Sequence, residues 1–451
     1  MSVYPRNMSN FLNRLSGYNK NNVKMNVLGS STANNGDVIQ VDLPTNSIVD
    51  LSSLAWSFKN TWSVSTTAAE GNKQHDLPIN AESIINRLAV EVNGQTLVNL
   101  TNYNVLYHAL LYMTATEDYQ QQRLTAQANT QTGAAGGTSQ RIQTTNAGGN
   151  ADTTTRQHVI DTWLGFLGSA KPNFIDTSLL GNVRISITLA GADMVGGDTG
   201  GSTNSYQLTD QYFSVDVVSI SDGVYDAMVD QMLASGAPIE IPFKNYFSFN
   251  SLNTTMDQTT AFNVASQSID RLWAVPRPQT YNARDTVRVP TAPAHGIVTR
   301  NVPYFNFAAC DGSGFHFKVN NTLYPQWTSS NPQDWWQHTK LAVGDQGNML
   351  AGACPTALSH YLDNFFVYAC QLEHRTDGDE RFVSGIDTRG AAAQCYFIST
   401  KSVNAADLHS GDADLVATKN RSGNVANHIT VYAECTSLLR IMANKVLEIV
   451  Q

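Results

Sequence analysis

Apolar and polar residues alternate along much of this chain with the two-residue period of half-buried strands. Ile39, Val41 and Leu43 alternate with Gln40 and Asp42. Leu54, Trp56 and Phe58 alternate with Ala55 and Ser57, and Leu88, Val90 and Val92 with Ala89 and Glu91. The cleanest run sets Val183, Ile185, Ile187 and Leu189 against Arg184, Ser186 and Thr188; Phe213, Val215 and Val217 then alternate with Ser214 and Asp216. Helical spacing is confined to short pieces. Tyr103, Leu106, Leu110 and Met113 share a face behind Thr101 or Asn102 as cap. Tyr225, Met228, Val229, Met232 and Leu233 do so after Asp222, and Gly236 and Pro238 close that run. The pattern predicts an all-β protein with short helices in the connections.

The pattern also repeats. Residues 88–111 read as an alternating strand, the hairpin dipeptide Asn93-Gly94, a Thr96-Leu97 return strand and a helical run. Residues 315–341 give Phe315, Phe317 and Val319, then Asn320-Asn321, then Thr322-Leu323 and a second amphipathic run. Thr96 and Thr322 lie 226 positions apart (322 − 96). Further pairs follow in order. Ile239, Ile241 and Phe243 answer the strand at Ile39, and Ser268–Val275 answers Leu54–Phe58. Phe365–Leu372 answers 158–167, Gln394–Ile398 answers Val183–Leu189, and Ile429–Cys435 answers Tyr212–Val218. Two tandem eight-stranded jelly-roll β-sandwiches are the expected architecture. The expected divisions are an N-terminal arm (1–35), a first jelly roll (36–221), a connecting helix (222–237) and a second jelly roll (238–451).

Two stretches stand outside this pattern. Residues 125–156 are Gln, Thr, Ala and Gly with scarcely an apolar side chain, and they read as a long surface loop or mobile excursion. The first residues are cationic: Arg6, Arg14, Lys20 and Lys24 precede the first acid, Asp37. Met8, Phe11, Leu12 and Leu15 fall at helical spacing there, with Gly17 as a stop. Such an arm either docks on a partner or lipid surface or tucks under its own domain.

Charge and chemistry narrow the function. The net charge of −9 argues against a dedicated nucleic-acid binder, and charged residues make up only 14 % of the 451. A surface so poor in charge suits coverage by neighbours. The five cysteines, Cys310, Cys354, Cys370, Cys395 and Cys435, form no C-x-x-C pair and read as buried free thiols of a reducing compartment. With no signal peptide and no long apolar run, the expectation is a soluble protein made in the cytosol. There is no phosphate loop, no H-E-x-x-H and no G-x-S-x-G. Within Glu373–Arg381, His374 with Asp377 and Asp379 could serve a metal or acid–base role, against the plainer reading of a charged loop. Trp273, Trp327, Trp335 and Trp336 could stack sugars, anchor an interface or fill a core. No catalytic residue, metal ligand set or cofactor is expected.

Four stretches carry a resemblance. They are Gly36–Pro44 followed by Val49–Leu54, the junction Gly236–Tyr246, the strand–turn element Val319–Pro325, and Phe366–Gly385 leading to Ser437–Ile441 and Glu448–Val450. In order and spacing the chain resembles the double jelly-roll major capsid proteins of icosahedral DNA viruses, nearest to those of polinton-like viruses and virophages. The resemblance implies a non-enzymatic homotrimer, a capsomer of pseudo-hexagonal outline, that tiles a closed shell with neighbouring capsomers. It implies a virion location, penton and minor or cement capsid proteins as partners, and no small-molecule substrate. It also turns the arm, with Arg6, Phe11, Arg14, Leu15, Lys20 and Lys24, inward toward a membrane, a minor protein or packaged DNA. The 125–156 loop would then lie on the outer surface or between trimers. The competing readings are a carbohydrate-active double β-sandwich hydrolase, which needs two convergent carboxylates, and a lectin-like binding protein.

Overall fold

The computed structural model describes residues 18–64, 73–78, 81–114, 141–146, 153–191, 204–220, 223–236, 238–253, 258–278, 307, 309, 312–343, 361–362, 366–373, 385–390, 394–401 and 427–451. Its first half contains β1 (Tyr18–Asn26), β2 (Ala33–Asn34), β3 (Val38–Asp42), β4 (Ile48–Val64), β5 (Lys73–Pro78), β6 (Ile85–Val92) and β7 (Gln95–Thr101). Helix α1 (Tyr103–Thr114), β8 (Arg141–Asn146), β9 (Thr153–Ile160), α2 (Phe166–Ser169), β10 (Phe174–Asp176), α3 (Thr177–Leu180), β11 (Val183–Leu189) and β12 (Asn204–Ile220) follow. One sheet runs β1-β12-β4-β10, with β2 added to β12 and β9 to β4; the other runs β3-β11-β6-β7, and β5 pairs β8 apart from both.

Helix α4 (Val224–Ala234) leads to the second half: β13 (Ile239–Asn253), β14 (Gln258–Asn263), β15 (Ile269–Pro278), β16 (Gly312–Val319) and β17 (Thr322–Ser329). After these come α5 (Pro332–Val343), β18 (Tyr368–Gln371), β19 (Gln394–Lys401), β20 (Asn427–Ile441) and β21 (Leu447–Val450). The sheets run β13-β20-β15-β18, with β21 on β20, and β14-β19-β16-β17. Both halves therefore have the same order: β1 beside β12 and β13 beside β20 in one sheet, β3 and β14 at the edge of the other. This is a double jelly roll.

The alternation read from sequence is the burial pattern of the structure. Val183, Ile185, Ile187 and Leu189 of β11 are buried and the residues between them half-buried. Asn93 and Gly94 both take positive φ (48° and 79°), as the hairpin between β6 and β7 requires, and Asn320 (53°) repeats the turn between β16 and β17. The two turns are anchored alike: Asn93 N–H donates to Asn182 O at 2.8 Å and Asn320 N–H to Gln394 O at 2.9 Å. Trp56 stacks on Phe213 at 5.7 Å in the first core. In the second, Phe315 gathers Trp335, Phe366 and Phe397 within 6.0 Å. Trp335 and Trp273 are thus buried in the fold and are unavailable for stacking a sugar.

Three readings change. The segment read as an arm contains β1, paired to β12 from Tyr18 to Asn26. Only Met25 is buried and Val23 half-buried among its described side chains, too few to register as alternation. In consequence β13 is the counterpart of β1, and the strand at Ile39 answers β14. Second, the 125–156 stretch holds β8 and the start of β9; backbone pairing with β5 and β4 supplies the order that its side chains do not advertise. Third, the strand expected over 158–167 stops at Ile160, and Gly165, at φ 74°, opens α2 instead.

Helix α1 is buried on nearly every side. His108 within it donates from Nδ1 to Asn104 O (2.7 Å), and burial pushes its pKa down to about 4. Because the folded pKa lies below the unfolded one, this contribution is complete above about pH 6.5 and disappears as pH falls toward 4. Urea titrations across that window should show stability falling with acid, and His108→Gln should flatten the slope by on the order of 2–3 kcal/mol.

Candidate functional site

The chemistry of this protein gathers where the first sandwich covers the second. The outward face of the β13-β20-β15 sheet carries Lys244, Tyr246, Arg271, Trp273, Tyr432, Glu434 and Thr436, positions that alternate with the core-facing residues of the same strands. Elements of the first sandwich close over it. Tyr432 Oη donates to Asn102 O at 2.9 Å and Thr101 Oγ1 meets Ser248 Oγ, while at the β13 edge the Phe166 ring meets Phe243 edge-on at 5.3 Å. The free edge of β13 is taken too: Lys244 N–H donates to Ser169 Oγ (2.8 Å), and Lys171 N–H to Pro242 O (3.0 Å). The turn that makes this approach needs glycine. A Cβ on Gly168 would stand 1.8 Å from Trp163 O.

Inside this seam lie two cations and three carboxylates. Lys244 Nζ reaches Asp270 at 2.8 Å and Glu373 at 3.6 Å; Arg271 reaches Glu373 at 2.6 Å and Glu434 at 3.5 Å. Asp270 also accepts from Ser268 Oγ and Thr436 Oγ1, both at 2.6 Å, and Glu434 accepts from Trp273 Nε1 at 3.0 Å. Burial is the largest influence on Lys244 and lowers its pKa, but Glu434, Asp270 and Glu373 together outweigh it and leave the pKa raised. Burial raises Glu373 against the pull of Arg271 and Lys244. Such a group is a lock. Each carboxylate is engaged by a cation or several donors, so none stands poised as a general acid opposite a free base. Sequence reasoning noticed Glu373 as the first residue of a charged loop; nothing local could connect it to Lys244 or Glu434.

The remaining sequence candidates separate. Arg6, Phe11, Arg14 and Leu15 lie outside the described residues, as do His374, Asp377 and Asp379. Lys20 and Lys24 sit on β1. Lys20 Nζ bonds Asp216 at 2.8 Å and Asp50 at 3.4 Å, and the Lys24 ammonium stands 4.2 Å from the Tyr212 ring centre. The hydrogen bond from Lys20 holds the Asp216 carboxyl below its ordinary range. Cys370, Cys395 and Cys435 are free and buried, and burial pushes the first two thiols up to about 12 and about 11. Among the described residues no three His, Cys, Asp or Glu are placed to hold a metal ion. No described helix is long and apolar enough to cross a membrane.

The covered face has an uncovered twin. On the first sandwich the corresponding face of β1-β12-β4 presents Lys20, Asn22, Lys24 and Lys59 to solvent. Lys20 is 43 % exposed where Lys244, its counterpart strand's lysine, is 14 % exposed. The covering element has a twin as well. Ser330 and Asn331 precede α5 as Thr101 and Asn102 precede α1, yet both are exposed, and Trp327 beside them is half-exposed.

The whole chain is similar in fold to solved capsid structures. Against the quasi-atomic model of the PBCV-1 virus capsid the TM-score is 0.62 at 12 % identity, covering 99 % of this chain and 98 % of that one. Against PBCV-1 VP54 fitted into a reconstruction of the virophage Sputnik it is 0.59 at 13 %, covering 100 % and 99 %. Against the Faustovirus major capsid protein it is 0.55 at 9 %, covering 93 % and 90 %. No protein-family model matches the chain, and no curated protein matches it in sequence.

Two substitutions test the seam. Lys244→Met leaves Asp270 and Glu373 buried beside one fewer cation, and urea denaturation should show a loss of about 3–5 kcal/mol. Gly168→Ala forces the Trp163 carbonyl aside and should cost at least about 2 kcal/mol in the same assay.

Proposed function

We propose that this chain is a major capsid protein, a structural building block whose trimers form pseudo-hexagonal capsomers of an icosahedral shell. The observation that carries the reading is the half-used seam. Each chain makes one sandwich-to-sandwich junction internally and leaves both halves of an equivalent junction open, the β1-β12-β4 face at one side and the Trp327–Asn331 element at the other. A surface pair of that kind is heterologous, and it closes a ring of three when each copy is turned by a third of a revolution from the last. Three chains of two sandwiches supply six similar wedges. The fold shared with PBCV-1 and Faustovirus capsid proteins supports the same reading. The low charge fraction fits it, because broad faces can meet without stranding ions.

Neighbouring capsomers, a penton protein and minor or cement proteins are the partners this role requires, with the virion as its location. The N-terminal arm faces the shell interior in this proposal. The hydrolase and lectin readings gain no support: the gathered carboxylates are locked in the seam, and Trp273 and Trp335 are buried.

Sedimentation of the purified protein should give a species of roughly 147 kDa, three times the 49.1 kDa chain, that survives dilution. A folded monomer at micromolar concentration would sink the proposal. Trp327→Ala should weaken association tenfold or more, as truncating a buried aromatic anchor does, with the strand content seen by circular dichroism unchanged.

A further inference from the structure

Ser248, Tyr432 and Trp273 stand side by side across the covered face, on β13, β20 and β15. The covering element lands on this row: Thr101 Oγ1 meets Ser248 Oγ, and Tyr432 Oη donates to Asn102 O at 2.9 Å. Lys24, Ser214 and Ala55 stand in register across β1, β12 and β4, and they form the same row of the open face. Lys24 follows Lys20 by four residues as Ser248 follows Lys244, and Ser214 precedes Asp216 by two as Tyr432 precedes Glu434. Lys20 and Lys244 each bond an aspartate of the third strand, Asp50 and Asp270. Where the covered face raises a tyrosine and a tryptophan, the open face has only Ser214 and Ala55, both half-buried. Tyr212, the next outward position on β12, and the Lys20–Asp216 pair bound the hollow that results.

The covering elements differ in the opposite sense. Seven residues lead from Thr96 to Tyr103, where α1 begins (103 − 96), and ten lead from Thr322 to Pro332, where α5 begins (332 − 322). Most of the excess falls in β17. Phe317 pairs with Tyr324, yet Phe315, two residues earlier, pairs with Ser329, five residues later. This excursion holds Trp327 out at 50 % exposure, with the His338 ring of α5 beside it at 5.6 Å. Charge shifts along with size. Lys24 stands where the covered row has Ser248, and Asp334 stands in the first turn of α5 where α1 has Val105.

We infer that Trp327 of one copy fills the Ala55–Ser214 hollow of the next, beside the Lys24 ammonium. The inference rests on the trimer reading and adds the residues that meet. In the covered seam the bulk belongs to the face; in the open one it belongs to the covering element. Either junction then packs one layer of aromatic side chains, as a close-packed interface requires. The ring face of Trp327 also suits a neighbouring cation. The exchange makes the two junctions non-interchangeable. Trp327 set against Tyr432 and Trp273 would overfill the seam, and Thr101–Asn102 set against Ala55 and Ser214 would leave it empty. First and second sandwiches must therefore alternate around the ring.

Sedimentation of the full-length protein and three variants tests this. Trp327→Ala and Ala55→Trp should each weaken association tenfold or more, the first by emptying the hollow and the second by blocking it. Ala55→Trp combined with Trp327→Ala returns the bulk to the face, and association should recover to within about fivefold of the unaltered protein. A double variant weakened by roughly a hundredfold, the product of the single losses, overturns the inference and leaves the trimer reading in place. An unaltered protein that is monomeric overturns both. Photo-crosslinking gives a readout that does not depend on the folding of Ala55→Trp. Trp327→p-benzoylphenylalanine should yield adducts between chains, mapped by mass spectrometry to 53–57 of β4 or 212–216 of β12. Trimers with adducts elsewhere, within one chain or not at all overturn the inference alone.

Discussion

Everything in this molecule depends on burying one charged sheet face. The β13-β20-β15 face holds two cations and three carboxylates, and a surface of that kind ordinarily belongs in water. The first sandwich removes the water, and each charge must then find its partner inside the protein or the junction fails. Lys244 and Arg271 meet that demand by bridging Asp270, Glu373 and Glu434. Hydroxyls from Ser268 and Thr436 and the indole of Trp273 fill much of the remaining acceptor capacity. Such a network lies wholly within the second sandwich and lets its face be covered at modest net cost; the orientation of the two sandwiches is set by the bonds that cross the seam, Tyr432 to Asn102, Thr101 to Ser248, and Lys244 and Pro242 to Ser169 and Lys171.

Fixed orientation makes a repeat useful. Two copies of one fold joined loosely would present an unpredictable outline. Joined through a rigid seam, they present two open surfaces whose relation is set by the covered pair. The two copies have diverged to suit. Where the covered face spends its lysine and glutamates on one another, the open face shows a wetter version of the same idea, with Lys20 held between Asp50 and Asp216. The covering strand β7 buries Leu97, Val98 and Leu100, while β17 leaves Gln326, Trp327 and Thr328 in solvent.

The strands that face a core on one side were legible because their side chains keep a period of two. β11 and the β6–β7 hairpin follow directly from Val183–Leu189 and from Asn93-Gly94. β1 was not legible, since an edge strand held by backbone pairing and by Lys20 needs few apolar residues. β8 escaped for a similar reason: the Thr and Gln of residues 141–146 carry no periodic signal, and a partner strand from 73–78 gives them order. The seam cluster was the least legible part. Its members are spread from Lys244 to Glu434, and only the fold brings their signs together. The glycine that lets the seam close, Gly168, looks in sequence like any loop glycine; the clash its Cβ would make with Trp163 O appears only in three dimensions.

The pairing of first strand with last sets a timetable for the nascent chain. Asn22 meets Asp216 across 194 positions, and Ile239 meets Ile441 in the second half. On a ribosome, neither sandwich can finish until its closing strand has emerged. The seam must wait longer still, because the face it covers is completed by β20. In the trimer proposed above, contacts between copies that reuse this geometry would come last of all. The first sandwich closes at Ile220, well before β20 completes the second, so its seam-covering surface waits uncovered while the rest of the chain is made.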